Sequence, residues 1–463
     1  MSTATRRRTG RTTARVPGTS QRQRSNGQPV LAPARTPGAP GSLRNVPSTT
    51  TPRPLSRTSR VGPFQLRQLV LVEVALATAT VGVALGGLWL VPTIAVACAL
   101  VLLAVIRRRG HAVQDWMSTA LALRARTRTA GRSAQGAHHA QGAQDVDPSL
   151  APVAESVPGF GPFTYVERDR RTVGMLGDGT FLTAVVRVEA SGDALRPAFG
   201  ARALPLSLLG GALEVDDIVL ESVQLVQQVR SAPAPHLPQQ SVARLSYAPL
   251  QERTGAPALR MTWVAVKLDP ELCREAVEAR GGGVEGAQRC LVRVADHVAS
   301  RITGAGFRTV VLDQEELNSA VATSACASPV QSARAGRPDT APHRRTSETA
   351  RVWRCDDRWH TTYAVGRWPE LGVGATPLPQ LVSLLTAVPA YATTFSLTLR
   401  RGAHRGTMTL GGHVRITGGS DTELVGVRGA LELAARTARV GLVRLDREQL
   451  PGVLATLPLG GAR

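Results

Sequence analysis

The residues able to do chemistry in this chain are few and scattered. Lys267 is the only lysine among 463 residues and stands in the run WVAVKLDP (263–270). A phosphate-binding loop of the Walker type needs a lysine directly after its glycines, so this strand-like setting excludes ATP hydrolysis by that route. Gly159-Phe160-Gly161 and Gly372-Val373-Gly374 lack the third glycine and the strand-to-helix context of a dinucleotide site, and read as loop glycines. Gly281-Gly282-Gly283 lies between two helical patterns and reads as a flexible break, not a phosphate nest. The nine histidines show no H-E-x-x-H, and His138-His139 falls in a linker. Asp216-Asp217 and Asp356-Asp357 are adjacent acids at turn positions, where Asp is favoured for its local hydrogen bonds. Cys98, Cys273, Cys290, Cys326 and Cys355 form no C-x-x-C pair. Neither a zinc site nor a disulfide framework is indicated. We therefore expect no catalytic, cofactor-binding or metal-binding residues, and no cofactor.

The elements that would position any site begin with an apolar run from Leu69 to Ile106. As one helix it would be about 57 Å long, nearly twice a hydrocarbon core of about 30 Å. Halved at Gly86-Gly87, it gives two spans, Leu69 to Gly87 and Leu88 to Ile106, within a transmembrane hairpin at 66–108. Arg57, Arg60 and Arg67 precede the run and Arg107, Arg108 and Arg109 follow it, which places both termini in the cytoplasm. Val113, Trp116, Met117, Ala120 and Leu121 then share one helical face, predicting an amphipathic juxtamembrane helix over 110–135. It either continues the second span or lies on lipid with Arg124, Arg126 and Arg128 toward headgroups.

A net charge of +21 would ordinarily raise nucleic acid as a partner. Its distribution points elsewhere. Residues 1–135 hold 20 Arg against Glu73 and Asp115, leaving only +3 for the remainder. Arginine beside an anionic leaflet gains on the order of 1 kcal/mol per residue, so the excess reads as bilayer apposition with no specific nucleic acid. Residues 1–60 carry no acid and no apolar periodicity, and should be disordered.

Beyond a linker at 136–157, two α/β halves are expected, 158–323 and 350–463, joined by a second linker at 324–349. Each reads ββαββαβα. Thr172–Leu176 and Phe181–Val188 form the first hairpin, and Arg351–Cys355 with Trp359–Val365 the second. Leu204-Pro205 and Leu378-Pro379 open similar leucine-rich helices. Leu312-Asp313-Gln314-Glu315-Glu316-Leu317 and Leu445-Asp446-Arg447-Glu448-Gln449-Leu450 look like one strand-to-helix junction used twice, with Asp313 and Asp446 as helix caps. The fold class is mixed α/β with an internal duplication.

Joined to the membrane hairpin, four segments make the chain resemble the EccE family of type VII (ESX-type) secretion in actinobacteria. They are RRTVGMLGDGTFLTAVVRVEA (170–190), LPLSLLGGALEVDDIVLESVQLVQQV (204–229), RMTWVAVKLDPELCREAVEARGGGVEGAQRCL (260–291) and RWHTTYAVGRWP (358–369). The resemblance implies a non-enzymatic scaffold in the cytoplasmic membrane. Its implied partners are EccB, the EccC ATPase, EccD and the mycosin protease, and its domain is similar to a glycosyltransferase-like fold without working residues. The alternative is a membrane-anchored glycosyltransferase-like enzyme.

Overall fold

The computed structural model describes residues 60–61, 64–87, 90–105, 107–108, 111–136, 147–157, 159–190, 203–230, 259–337, 343–370, 377–402 and 407–461, with isolated positions between 238 and 249. Residues 1–59, His138-His139 and Gly372 to Gly374 lie outside the described residues.

The apolar run folds as two helices, α1 (Leu66–Leu85) and α2 (Leu90–Val105). They part at Gly86 and Gly87, whose φ values of +58° and +60° suit glycine. They also approach closely: a Cβ on Gly82 would fall 2.0 Å from Thr93 Oγ1. Leu76 and Val91 face outward, 69% and 74% exposed. Among the described residues, however, no helix is long and apolar enough to cross a membrane. The expectation of two full spans is thus not met within these bounds. Helix α1 carries Arg67, Gln68 and Glu73 in its first turns, and the 16 residues of α2 rise only about 24 Å. Helix α3 (Val113–Gly136) follows.

The two expected linkers prove to be partly structure. Residues 147–157 contain the short helix α4 (Ala151–Ala154), and Leu150 and Val153 are buried. The segment 324–349 contains α9 (Pro329–Ala335) and a strand, Thr346–Glu348. Polar composition misleads here because a few buried apolar side chains, Leu150 and Val153 among them, are joined by the buried Arg345–Asp356 ion pair, and neither makes an apolar period.

Twelve strands form one sheet. In chain order they are β1 (Gly161–Val166), β2 (Thr172–Gly177), β3 (Leu182–Ala190), β4 (Ser222–Arg230), β5 (Leu259–Leu268), β6 (Phe307–Val311), β7 (Thr346–Glu348), β8 (Trp353–Cys355), β9 (Arg358–Arg367), β10 (Ala392–Arg401), β11 (Met408–Gly418) and β12 (Gly441–Arg444). The spatial order is β7-β8-β9-β11-β10-β4-β5-β3-β2-β1, with β6 added to β3 and β12 to β9. Every pairing is antiparallel.

The order reads alike from both sides of the central β4–β10 pair, where Val226 lies opposite Ser396. Corresponding backbone bonds close each half: Leu312 N–H donates to Val185 O at 3.0 Å, and Leu445 N–H to Thr362 O at 3.1 Å.

The two sheet faces differ in chemistry. On one, Ala184, Val186, Val223, Val264, Val266, Phe395, Leu397, Val414 and Ile416 pack beneath α5 (Leu206–Gly211), α6 (Arg274–Ala279), α7 (Gly283–Gly304), α10 (Leu378–Thr386) and α11 (Asp421–Thr437). Strand residues alternate in direction, so the intervening positions face the other way. There stand Thr183, Ser222, Gln224, Gln228, Thr394, Ser396, Thr398 and Arg415, all buried. Helix α8 (Gln314–Ser324), α12 (Gln449–Leu454) and the chain to Gly461 lie on that side.

The shared junction is only half realised as a cap. Asp313 Oδ1 accepts from Glu316 N–H at 2.9 Å and caps α8. Asp446 does not cap α12. Its carboxylate is held by Arg444 at 2.6 and 2.9 Å, and Arg447, at φ +67°, inserts a left-handed turn before the helix starts.

Candidate functional site: the α3 clamp and the strap after α12

Among the described residues, the charged side chains weighed for chemistry from the sequence are committed to structure. Lys267 is buried, 3.1 Å from Glu221, with its ammonium 4.1 Å from the centre of the Phe181 ring. Asp216 pairs with Arg293 at 3.0 Å and Asp217 with Arg280 at 2.7 Å, tying the loop before β4 to α7 and to the end of α6. Gly281 to Gly283 all have positive φ and separate α6 from α7. Asp356 is more than a turn residue. It sits at φ +52°, but its carboxylate is buried against Arg345. The sequence also spells D-x-D at Asp145-Val146-Asp147. Asp147 is already used, accepting from Ser149 N–H at 2.8 Å and from the Asn318 amide at 3.0 Å.

Four cysteines are buried thiols, and burial pushes Cys355 well up and Cys290 to about 11, which suppresses thiolate chemistry. Among the described residues, no group of three or more His, Cys, Asp or Glu side chains is placed to hold a metal ion.

What the fold does assemble is a mechanical junction. Arg126 on α3 inserts its guanidinium against Glu348 of β7: Nε donates to Oε2 and Nη2 to Oε1, both at 3.0 Å. The side chains are only 11% and 6% exposed. Arg126 Nη2 also donates to Arg447 O at 2.6 Å. The same Glu348 Oε1 accepts from Leu450 N–H at 3.0 Å. One carboxylate therefore caps α12, the service Asp446 was expected to perform, while neutralising a cation on α3. A two-pronged guanidinium–carboxylate pair has directional strength as well as charge. Arg126 is consequently turned into the protein, not toward headgroups.

From α12 the chain continues as a strap over the polar sheet face. Gln224 Nε2 and Ser396 Oγ donate to Ala455 O at 2.9 and 2.8 Å. Gln224 Oε1 accepts from Gly460 N–H at 2.8 Å, Ser222 Oγ donates to Gly460 O at 2.6 Å, and Thr183 Oγ1 to Leu459 O at 3.2 Å. The strap thus binds β3 and β4 of one half and β10 of the other. Gly460, at φ +87°, passes over the Lys267 stem, where a Cβ would lie 2.4 Å from Lys267 Cβ. None of these contacts was apparent in the sequence. The one available signal was the alternation Ser222, Gln224, Gln228 and Thr394, Ser396, Thr398 in strands whose other face is apolar.

Nearby, the sheet interior holds an uncompensated charge. Arg415 is fully buried, donates to Ser324 O and Thr394 Oγ1, and leaves Nε and Nη1 without a hydrogen-bond partner among the described residues. Burial pulls its pKa down to about 10. Two histidines are held neutral in this sheet. Burial, then Arg415 and Arg358, keep His360 well below 6.5, and burial with Arg400 brings His413 to about 4. The unfolded chain takes up protons on these groups first, so their contribution is complete above about pH 6.5 and declines as pH falls toward 4. Urea denaturation at pH 7.5 and pH 5 should show lower stability at pH 5. His360→Gln should reduce that difference; an unchanged difference in this variant would remove His360 from the explanation.

The fold and site define a class: a mixed α/β protein on one antiparallel sheet, with the helix α3 that follows the α1–α2 hairpin held to the sheet by a buried ion pair. The family model described as EccE, putative type VII ESX secretion system translocon, matches residues 256–365. That segment begins just ahead of β5, runs to Val365 in β9, and includes Lys267, Arg345, Glu348 and Asp356. It contains 260–291 and most of 358–369 of the resembling segments, while 170–190 and 204–229 lie outside it. No curated protein matches the chain.

Proposed function

We propose that this protein is a non-enzymatic structural subunit of a type VII secretion translocon at the cytoplasmic membrane, supporting assembly and stability of the complex for protein export. The match of residues 256–365 to the EccE family carries this reading. The commitment of Lys267, Asp216, Asp217 and Asp356 to structural ion pairs favours a scaffold over the glycosyltransferase-like alternative. The α1–α2 hairpin would seat the chain in the bilayer with both termini cytoplasmic, a reading supported by its outward apolar side chains and flanking arginines. Its partners would then be EccB, the EccC ATPase, EccD and the mycosin protease.

Tagged full-length protein purified from membranes in mild detergent should bring these subunits with it. Recovery of the protein without any of them would overturn the assignment. Metal-dependent turnover of a sugar nucleotide, lost on substituting one acidic residue, would favour the enzyme.

A further inference from the structure

The contacts holding the strap have an unusual character. Thr183, Ser222, Gln224 and Ser396 each hydrogen-bond the strap's main chain, with Gln224 Nε2 also donating to Ser396 Oγ at 2.8 Å, and the four side chains are buried. The strap runs as successive turns, with Leu459 N–H bonded to Leu457 O at 2.7 Å, and side chains that read its carbonyls and N–H groups recognise that turned backbone. Specificity then comes from Leu457 and Leu459, buried beside Val226 and Trp263, and from Gly460 and Gly461. Both glycines have positive φ, and a Cβ on the second would lie 2.3 Å from Thr398 Oγ1.

The upstream end of the strap is governed from α3. If Arg126 is removed, Glu348 becomes a buried carboxylate without its cation, a costly state relieved by protonation or by swinging toward water. Either change weakens the cap on Leu450, and Arg447, held at φ +67°, loses the donor to its carbonyl.

We propose that the trough formed by Thr183, Ser222, Gln224 and Ser396 is a peptide-binding site, that residues 455–461 are its resident ligand, and that the Arg126 clamp sets how firmly that ligand is seated. A pull on the juxtamembrane helix would then be felt at the centre of the sheet, about the β4–β10 seam.

Hydrogen exchange on the full-length protein in detergent tests this, comparing wild type with Arg126→Ala and the milder Arg126→Lys. Amides of residues 449–460 should exchange on the order of fivefold to tenfold faster in Arg126→Ala, with those of β2 (172–177) unchanged. A fluorescein-labelled peptide of residues 455–463 should bind Arg126→Ala more tightly than wild type, and its Gly460→Ala version should not bind. Exchange of 455–460 that stays at the wild-type rate in both variants, or rises no more than that of 172–177, overturns the proposal. So does equal binding of the two peptides.

Discussion

Arg345→Ala should destabilise the folded protein by about 3–5 kcal/mol, the cost of leaving one member of a buried ion pair alone. The pair is more enclosed than any other in this chain's described residues, with side chains 1% and 2% exposed. Arg345 Nε and Nη2 reach the two Asp356 oxygens at 2.8 and 2.7 Å. Nη1 donates to Pro148 O at 2.6 Å and Nη2 to Ser332 Oγ at 3.0 Å. Asp356 accepts further from Ser328 N–H at 2.7 Å, and Glu155 accepts from the N–H groups of Arg345 and Thr346. One arginine therefore joins the residues before α4, helix α9, strand β7 and the β8–β9 turn.

A loss of that size is a large part of the roughly 5–15 kcal/mol that holds a typical domain together. Thermal and urea unfolding of the full-length protein would register it. Asp356→Leu alone should be similarly harmful, whereas Arg345→Met combined with Asp356→Leu should cost less than the sum, because no unpaired charge remains. Additive losses would show that the pair acts only through its neighbours.

Gly174→Val should be strongly damaging to β2. A Cβ at this position would lie 2.4 Å from Asp313 O, 2.5 Å from Asp313 C and 2.7 Å from Gln314 Cα, all backbone atoms that cannot rotate away. The strand would have to retreat from the start of α8, stretching the 3.0 Å bond from Gly174 N–H to Leu312 O. Overpacking of this kind costs about 1–3 kcal/mol and more where backbone must move. Gly179→Ala, in the adjoining turn, meets no atom within 4 Å and is strained only by its φ of +88°. It should cost less, and the reverse ranking in urea unfolding would reject the packing argument.

Local order was legible in the sequence because it depends on neighbours along the chain. The hairpin at Thr172–Gly177 and Leu182–Ala190, the glycine break before α7, the Asp313 cap and the Gly86-Gly87 reversal all follow from short-range periodicity, φ preference or side-chain reach. The order of elements was legible only in part: each half read as ββαββαβα, while β1 (Gly161–Val166) and β7 (Thr346–Glu348), the strands that precede the two hairpins, were missed.

Tertiary structure alone decided what those elements meet. Asp313 and Asp446 occupy the same local pattern, yet Arg444 claims the second carboxylate and Glu348, 102 residues before Leu450, supplies the missing acceptor. The stretch 324–349 reads as a linker because its charged and small residues show no apolar period. It is ordered by Arg345, whose partners lie on three other pieces of chain: residues 148–155, the segment 328–332 and the β8–β9 turn. The central β4–β10 pairing, the polar trough it carries and the clamp of Arg126 on Glu348 all join residues more than 150 positions apart. Contacts at that separation leave no periodic trace in one sequence, because each half of the contact is a common residue in an ordinary local setting.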